Sequence, residues 1–188
     1  MYVVSAFRRT PVPGWTASCS SHSMHPKYPA HLRSFDYLGL HRYFLSFCVD
    51  FRRKAFLDAD AITIVSQQIL RAAAQNRFAV IAYCFMPDHL HLLVEGEADN
   101  SDCRRFIKAA KQYSGFYYSK EYRRTLWQRY GHERVLRNDE ATLEVARYIL
   151  NNPVRAGLVR DVREYPFVGS EKYTIEEILE AVAETKSG

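Results

Sequence analysis

Two histidines separated by a single leucine, His89-Leu90-His91, are the residues best placed to do chemistry. They lie in a short apolar run that is typical of a β-strand, in which side chains alternate between two faces. Both imidazoles therefore point to one face, about 7 Å apart at the backbone, while Leu90 points into the core. A divalent cation could bind between the two ring tips. The same spacing occurs in zinc hydrolases, and it also suits two histidines that only make ordinary hydrogen bonds.

A second candidate is Tyr148, which Asn152 follows four residues later. On a predicted helix these two positions stack on one face, so a phenol nucleophile and an amide metal ligand could share a site. Other roles are open to both residues. The chain has 13 tyrosines, most of which we expect to pack in the core, and Asn152 could only cap the helix before Pro153.

The positive charge is concentrated in the middle of the chain. The net charge is +5 and the isoelectric point about 9.0, but the span 104–137 alone holds ten Lys or Arg and two acids. Such a patch attracts phosphates. We expect Arg104, Lys108, Lys111 and Arg129 to contact the phosphates of a nucleic acid, with aromatic residues of the same span stacking on bases or packing in the core.

Composition excludes several classes of protein. The chain has no apolar run long enough to span a membrane and no apparent secretory signal. Its four cysteines are scattered without a CxxC pair, which predicts free thiols and a reducing, cytoplasmic setting rather than a disulfide framework or a zinc knuckle.

The hydrophobic periodicity predicts an alternation of strands and helices. The predicted elements, in order, are a strand over 41–49, a helix over 58–76, a strand over 78–85, a turn at 86–88, a strand over 89–95, a helix capped by Ser101 or Asp102, a strand over 126–136, a helix capped by Asn138 or Asp139, and a short acidic helix over 175–183. Pro153 should end the helix that Asn138 or Asp139 caps, near Asn151 or Asn152.

This order predicts an α+β fold, with a ferredoxin-like antiparallel sheet and helices packed on one face. Residues 1–34 are rich in proline and polar residues and are interpreted as a flexible leader. Residues 35–170 form the predicted catalytic domain, and 171–188 an acidic tail.

Three sequence blocks resemble the REP-associated tyrosine transposases, a branch of the His-hydrophobic-His single-tyrosine transposases. They are Phe85-Met86-Pro87-Asp88-His89-Leu90-His91-Leu92-Leu93-Val94, Trp127-Gln128-Arg129-Tyr130, and Tyr148-Ile149-Leu150-Asn151-Asn152-Pro153-Val154-Arg155-Ala156-Gly157. Tyr165-Pro166-Phe167 with Ser170 is similar to the closing segment of that family. The second block is one residue shorter than some versions, and the resemblance runs from about Tyr37 to Ser170.

The resemblance implies a mechanism. Tyr148 matches the nucleophile of that family, His89 and His91 match its metal ligands, and Asn152 occupies the position of the third ligand. The expected metal is Mg²⁺ or Mn²⁺, and the expected substrate is single-stranded or hairpin DNA, cleaved and rejoined through a 5′-phosphotyrosine. We expect a monomer rather than a homodimer, although the wider superfamily includes dimers with shared active sites.

Two other functions remain open from the sequence. The chain could be a non-catalytic module that binds DNA hairpins, which predicts binding without a covalent adduct. It could also be a metal-dependent hydrolase that uses His89 and His91 to activate water, which predicts indifference to loss of the Tyr148 hydroxyl.

Overall fold

The computed structural model describes residues 36–129, 131–136 and 139–184, and these ranges contain five strands and four α-helices. In chain order they are β1 (Arg42–Cys48), α1 (Ala59–Gln75), β2 (Phe78–Met86), β3 (His89–Gly96), α2 (Cys103–Tyr122), β4 (His132–Leu136), α3 (Asp139–Arg155), β5 (Val168–Gly169) and α4 (Ile175–Glu184). Short 3₁₀ turns lie at Asp50–Arg52, Ala55–Leu57 and Val162–Glu164.

The strands form one antiparallel sheet in the order β4-β1-β3-β2-β5. β3 is the central strand in this order, and a turn at Pro87 and Asp88 joins it to β2. In this register His89 lies opposite Cys48, and His91 lies opposite Ser46. The predicted α+β class and antiparallel sheet are confirmed.

The helices cover both faces of the sheet. Leu90, Leu92 and Val94 of β3 belong to the hydrophobic cluster that also contains the buried residues of α1 and α2. Leu93 instead belongs to a second cluster, with Ile149 of α3 and Ile178 of α4. The expectation that the helices lie on one face therefore holds for α1 with α2 only. The alternation along β3 places its histidines on the face that α3 and α4 cover.

The helix starts follow from local chemistry. The carboxylate of Asp58 accepts a hydrogen bond from the Asp60 amide at 2.9 Å, and that of Asp102 accepts one from the Arg105 amide at 3.1 Å. Each satisfies an amide that has no partner inside the helix. Asp102, rather than Ser101, is thus the cap of α2.

Three sequence expectations need correction. The strand predicted over 126–136 is β4 over His132–Leu136 only, because the chain near Trp127 makes just an isolated bridge to Val49. The apolar spacing of the segment 106–117 predicts that Phe116 and Tyr117 lie on the buried side of α2, but both are exposed. The buried side instead carries Phe106, Ala110, Ser114 and Tyr118.

The third correction concerns the end of α3. This helix continues through Pro153 to Arg155 instead of stopping near Asn151 or Asn152. A proline removes one amide donor, but the ladder resumes beyond it, since the Ala156 amide donates to the Asn152 carbonyl at 2.9 Å. Gly157, at φ +68°, then ends the helix in the left-handed conformation that glycine adopts without strain.

Some expectations fall outside the described ranges. The leader 1–34, Cys19, Tyr130, Arg137 and the alternative cap Asn138 lie there, and the domain boundaries at 34 and 170 stay predictions. The acidic segment does form α4, and Ile178 of that helix is buried. Within the described ranges, no helix is long and apolar enough to cross a membrane.

Candidate functional site

The two imidazoles of β3 point to the same face and meet at their tips. The Nε2 atoms of His89 and His91 are 3.1 Å apart. Two nitrogens that bind one cation at right angles, each at about 2.1 Å, stand about 3.0 Å apart. The pair therefore has the spacing of neighbouring ligands in one coordination shell. Without a cation the same distance suits a hydrogen bond from one ring to the other.

Each imidazole is held from behind through its other nitrogen. Asp88 Oδ1 lies 2.6 Å from His89 Nδ1, and Ser46 Oγ lies 2.7 Å from His91 Nδ1. The carboxylate of Asp88 can only accept, so His89 Nδ1 donates to it, and Nε2 is the ring nitrogen that faces His91. Such partners fix the tautomer and the direction of a metal-binding histidine.

Burial and the surrounding charges favour the neutral form of His91. Burial, the charge of His89 and the Arg52 guanidinium together lower the pKa of His91 to about 3. Burial alone would raise the pKa of Asp88, but the hydrogen bond and charge of His89, with the charge of Arg52, outweigh it and lower that pKa. His91 is thus neutral at ordinary pH, which is the form of imidazole that binds metals.

Tyr148 of α3 lies beside His91. The two ring centroids are 5.7 Å apart, and the ring of Phe44 meets Tyr148 at 5.9 Å, both edge to face. The side chain is 39% exposed, so the phenol is accessible while its ring is held. Arg155 places its guanidinium carbon 5.1 Å from the Tyr148 ring centroid. The phenol and the imidazoles therefore lie on one face of the sheet.

Asn152 lies one turn further along α3. Its Nδ2 donates to the Tyr148 carbonyl at 2.8 Å, which ties the amide group to the same helix turn. This bond uses the nitrogen, so Oδ1 is the atom that Asn152 could offer to a cation.

The other possible metal ligands near the pair limit which kind of metal centre the two histidines could form. Across the described parts of the chain, no group of three or more His, Cys, Asp or Glu could hold a metal ion. A closed structural zinc site needs four such ligands. Two imidazoles alone would leave most positions of a bound cation open, as a catalytic ion requires.

Comparison with known proteins decides the family. Residues 37–152 match the family model described as "Transposase IS200 like". This match includes both histidines, Tyr148 and Asn152. The chain belongs to the IS200-like transposase family.

Individual relatives agree with this assignment. The transposase is 28% identical over 156 residues to a Haemophilus influenzae protein assigned as a REP-associated tyrosine transposase, covering 72% of this chain and 81% of the relative. It is 30% identical over 125 residues to the Escherichia coli REP-associated tyrosine transposase, covering 64% and 72%. Its fold matches a solved REP-associated tyrosine transposase bound to a REP hairpin, with a TM-score of 0.63, 21% identity, and 74% and 81% of the two chains covered.

Most of the basic residues predicted to contact DNA lie away from the histidine pair. Arg104, Lys108 and Lys111 belong to α2, which packs on the sheet face opposite the histidines. Lys111 is half-buried, and its Nζ donates to the carbonyls of Gln128 at 2.6 Å and Arg129 at 3.2 Å. Burial lowers the pKa of Lys111. Its ammonium therefore serves the fold of the 128–129 segment, whereas Arg104, Lys108 and Arg129 are exposed and stay predicted DNA contacts.

Sequence reasoning missed the residues that support the histidines. Asp88, Ser46 and Phe44 all contact a ring of the site. One signal for Asp88 was present, because it directly precedes His89. Ser46 is the one serine or threonine in the apolar strand 43–49 and lies two residues from Phe44, so the strand period places both on one face.

A separate cavity lies between α3, α4 and the sheet. Its volume is about 320 Å³, and its lining is mostly apolar with the Arg42–Glu95 ion pair, 2.7 Å long, at one side. Neither imidazole of the site lines it. This cavity and the histidine pair thus lie in different places.

Proposed function

We propose that this transposase cleaves and rejoins single-stranded or hairpin DNA through a covalent bond between Tyr148 and a 5′-phosphate. The observation that carries the proposal is the contact of the accessible Tyr148 ring with His91, at 5.7 Å between centroids, beside two Nε2 atoms 3.1 Å apart. If water were the nucleophile at the histidine pair, the reaction would not need an accessible phenol beside it.

The covalent step exchanges one phosphate ester for another. The phenol of Tyr148 gives up its proton, and its oxygen forms a bond to phosphorus. The bond between phosphorus and the 3′ oxygen breaks, and that oxygen takes up a proton to become a 3′-OH. The number of phosphodiester bonds is unchanged, so a later 3′-OH can reverse the step and join strands without ATP.

Residues of the chain prepare this step. The guanidinium of Arg155 lies over the Tyr148 ring and packs against it as a cation on an aromatic face. His89 and His91, with the amide oxygen of Asn152, would hold Mg²⁺ or Mn²⁺, which would polarise the phosphate and offset charge in the transition state. Ser46 and Asp88 hold the two rings in the orientation that this binding needs.

The need for Tyr148 to reach the phosphorus atom limits which form of DNA can be the substrate. Tyr148 must reach phosphorus in line with the leaving oxygen, which requires an exposed and distortable backbone. An unpaired strand meets that requirement better than a duplex. The Escherichia coli and Haemophilus influenzae relatives are named for REP elements, and one solved relative is bound to a REP hairpin. We therefore propose a hairpin with a single-stranded flank as the substrate, and a monomer as the active form.

The test is a denaturing gel with a hairpin oligonucleotide labelled at its 3′ end, incubated with Mn²⁺. We expect wild-type protein to give a labelled band of protein-linked DNA and Tyr148→Phe to give none. Tyr117→Phe is the matched control, because Tyr117 is 40% exposed on α2, against 39% for Tyr148. The control should form the adduct at the wild-type rate.

Two outcomes would point elsewhere. Cleavage without an adduct, and equal in Tyr148→Phe, would indicate hydrolysis by water at the histidine pair. Tight binding with neither cleavage nor adduct would indicate a non-catalytic hairpin-binding protein.

A further inference from the structure

The turn that follows β1 has an unusual backbone. Phe51 and Arg52, neither of them glycine, are consecutive residues in the left-handed region, at φ 52° and 53°. This conformation brings Cβ close to the backbone and costs energy at each residue. It persists only where the surrounding structure imposes it, and such strain is common at binding sites.

Hydrogen bonds on both sides hold this turn. The Asp50 amide donates to the Leu126 carbonyl at 2.7 Å, and the Arg52 amide donates to the Val49 carbonyl at 2.9 Å. The guanidinium of Arg53 donates to the carbonyl of Thr125. The turn is therefore a fixed part of the fold rather than a loose connection.

What the turn presents is an aromatic ring in solvent. Phe51 is 86% exposed, the largest fraction among the big apolar side chains in the described ranges. A single exposed apolar residue is ordinary. A phenylalanine held out of the core by a strained and anchored backbone is not, because both the strain and the exposure oppose folding and neither helps packing.

The turn that carries Phe51 is linked to the candidate site through Arg52. Arg52, its neighbour in the chain, has Nη1 3.3 Å from Cys48 Sγ and 3.5 Å from Asp88 Oδ2. Asp88 in turn holds His89 at 2.6 Å. A strand of DNA whose phosphate lies at the histidine pair would thus have the Arg52 charge beside its backbone, with Phe51 as the adjacent residue of the same turn.

We propose that Phe51 is a stacking platform for one unpaired base adjacent to the phosphate that Tyr148 attacks. This rests on the proposed function. Every base has a flat face, so stacking on an aromatic side chain binds single strands without reading their sequence. A ring fixed before binding loses little freedom on contact. Phe51 would thus position the substrate strand along the face that carries Tyr148 and the histidines.

Cross-linking tests where the base lies. The probe is a hairpin oligonucleotide with a single-stranded flank that carries 5-iododeoxyuridine at one flank position at a time, bound to Tyr148→Phe protein to prevent cleavage. After irradiation, peptide mapping should find the cross-link on Phe51 for one or two neighbouring flank positions. Absence of a Phe51 cross-link at every flank position would overturn the proposal.

A coupled measurement tests what the ring contributes. Glycine adopts positive φ without strain, so Phe51→Gly removes the ring while the turn still folds. We expect Phe51→Gly to weaken hairpin binding by about tenfold, in the range typical of one stacked base. The loss should vanish when the cross-linked position is made abasic. Phe51→Trp should bind at least as well as wild type.

Phe116 supplies the matched control. It is also an exposed phenylalanine, 63% accessible, but it lies on α2, on the other face of the sheet. Whatever Phe116→Ala does to affinity should be the same with the base present or abasic. Equal effects of Phe51→Gly on the two oligonucleotides would contradict the stacking role.

The experiments distinguish failure of the stacking role of Phe51 from failure of the proposed function. Adduct formation on Tyr148 without coupling between Phe51 and the base removes only the stacking platform. Coupling without any adduct keeps the platform and removes the covalent chemistry.

Discussion

Ser46 and His91 lie directly opposite each other in the β1–β3 ladder, with Ser46 Oγ 2.7 Å from His91 Nδ1. Both are buried. A hydroxyl can donate or accept, so Ser46 can serve His91 in either tautomer. If His91 carries its proton on Nε2, the Ser46 hydroxyl donates to Nδ1 and His91 Nε2 donates to His89. With a cation at the two Nε2 atoms, His91 would carry its proton on Nδ1 and donate a hydrogen bond to Ser46 Oγ.

The first prediction follows from this exchange. Ser46→Ala should lower Mn²⁺ affinity by about tenfold to a hundredfold, as loss of a hydrogen-bond partner of a metal-bound histidine typically does. Titration with Mn²⁺ followed by electron paramagnetic resonance measures it. Ser66→Ala, on the half-exposed part of α1, is the control and should bind as wild type. Unchanged affinity in Ser46→Ala would mean that His91 is oriented by packing alone.

The third proposed ligand can be tested against its neighbour. Asn151 and Asn152 make the same kind of bond, with their Nδ2 atoms donating to the carbonyls of Arg147 at 3.1 Å and Tyr148 at 2.8 Å. Their helix positions differ by about 100°. Asn152→Ala should lower Mn²⁺ affinity and adduct formation by at least about tenfold.

Asn151→Ala controls for the structural part of that change. The two variants should lose similar, small amounts of stability, and Asn151→Ala should keep adduct formation. Equal activity of both variants would remove Asn152 from the ligand set.

Two lysines of α2 should behave in opposite ways. Lys111→Met leaves the carbonyls of Gln128 and Arg129 without their donor, so it should cost about 1–3 kcal/mol of unfolding free energy. Urea denaturation measures this. Lys108 is exposed, and Lys108→Met should change stability by less than about 0.5 kcal/mol.

DNA binding gives the second half of that comparison. If Lys108 contacts a phosphate, Lys108→Met should weaken hairpin binding and reduce the slope of log affinity against log salt by about one unit. A slope identical to that of wild type would move the DNA away from this part of α2.

The last prediction concerns the segment after α3. The Tyr165 hydroxyl donates to the buried Phe85 carbonyl at 2.7 Å, and the Phe85 amide donates to the Phe167 carbonyl at 2.9 Å. Tyr165→Phe leaves that carbonyl unsatisfied and should lower the free energy of unfolding by about 1–2 kcal/mol. Tyr173→Phe, at a side chain that is 48% exposed, should lower it far less. Thermal or urea unfolding of the two variants provides the comparison.

Much of the site was predictable because it depends on local periods. Alternation along a strand places His89 and His91 together whatever the rest of the fold does. Helical spacing does the same for Tyr148 and Asn152. The caps at Asp58 and Asp102 are equally local, since each carboxylate bonds an amide two or three residues away.

The face on which each helix packs was decided only by the tertiary structure. An apolar stripe indicates that a helix is buried on one side, but not which face of the sheet it meets, because that depends on contacts between residues far apart in the chain. This is why α3 brings Tyr148 to His91, why α2 lies on the other face, and why Lys111 is bonded to residues 128 and 129 instead of facing solvent. The exposed Phe51 likewise depends on long-range bonds, from Asp50 to Leu126 and from Arg53 to Thr125, which no sequence period encodes.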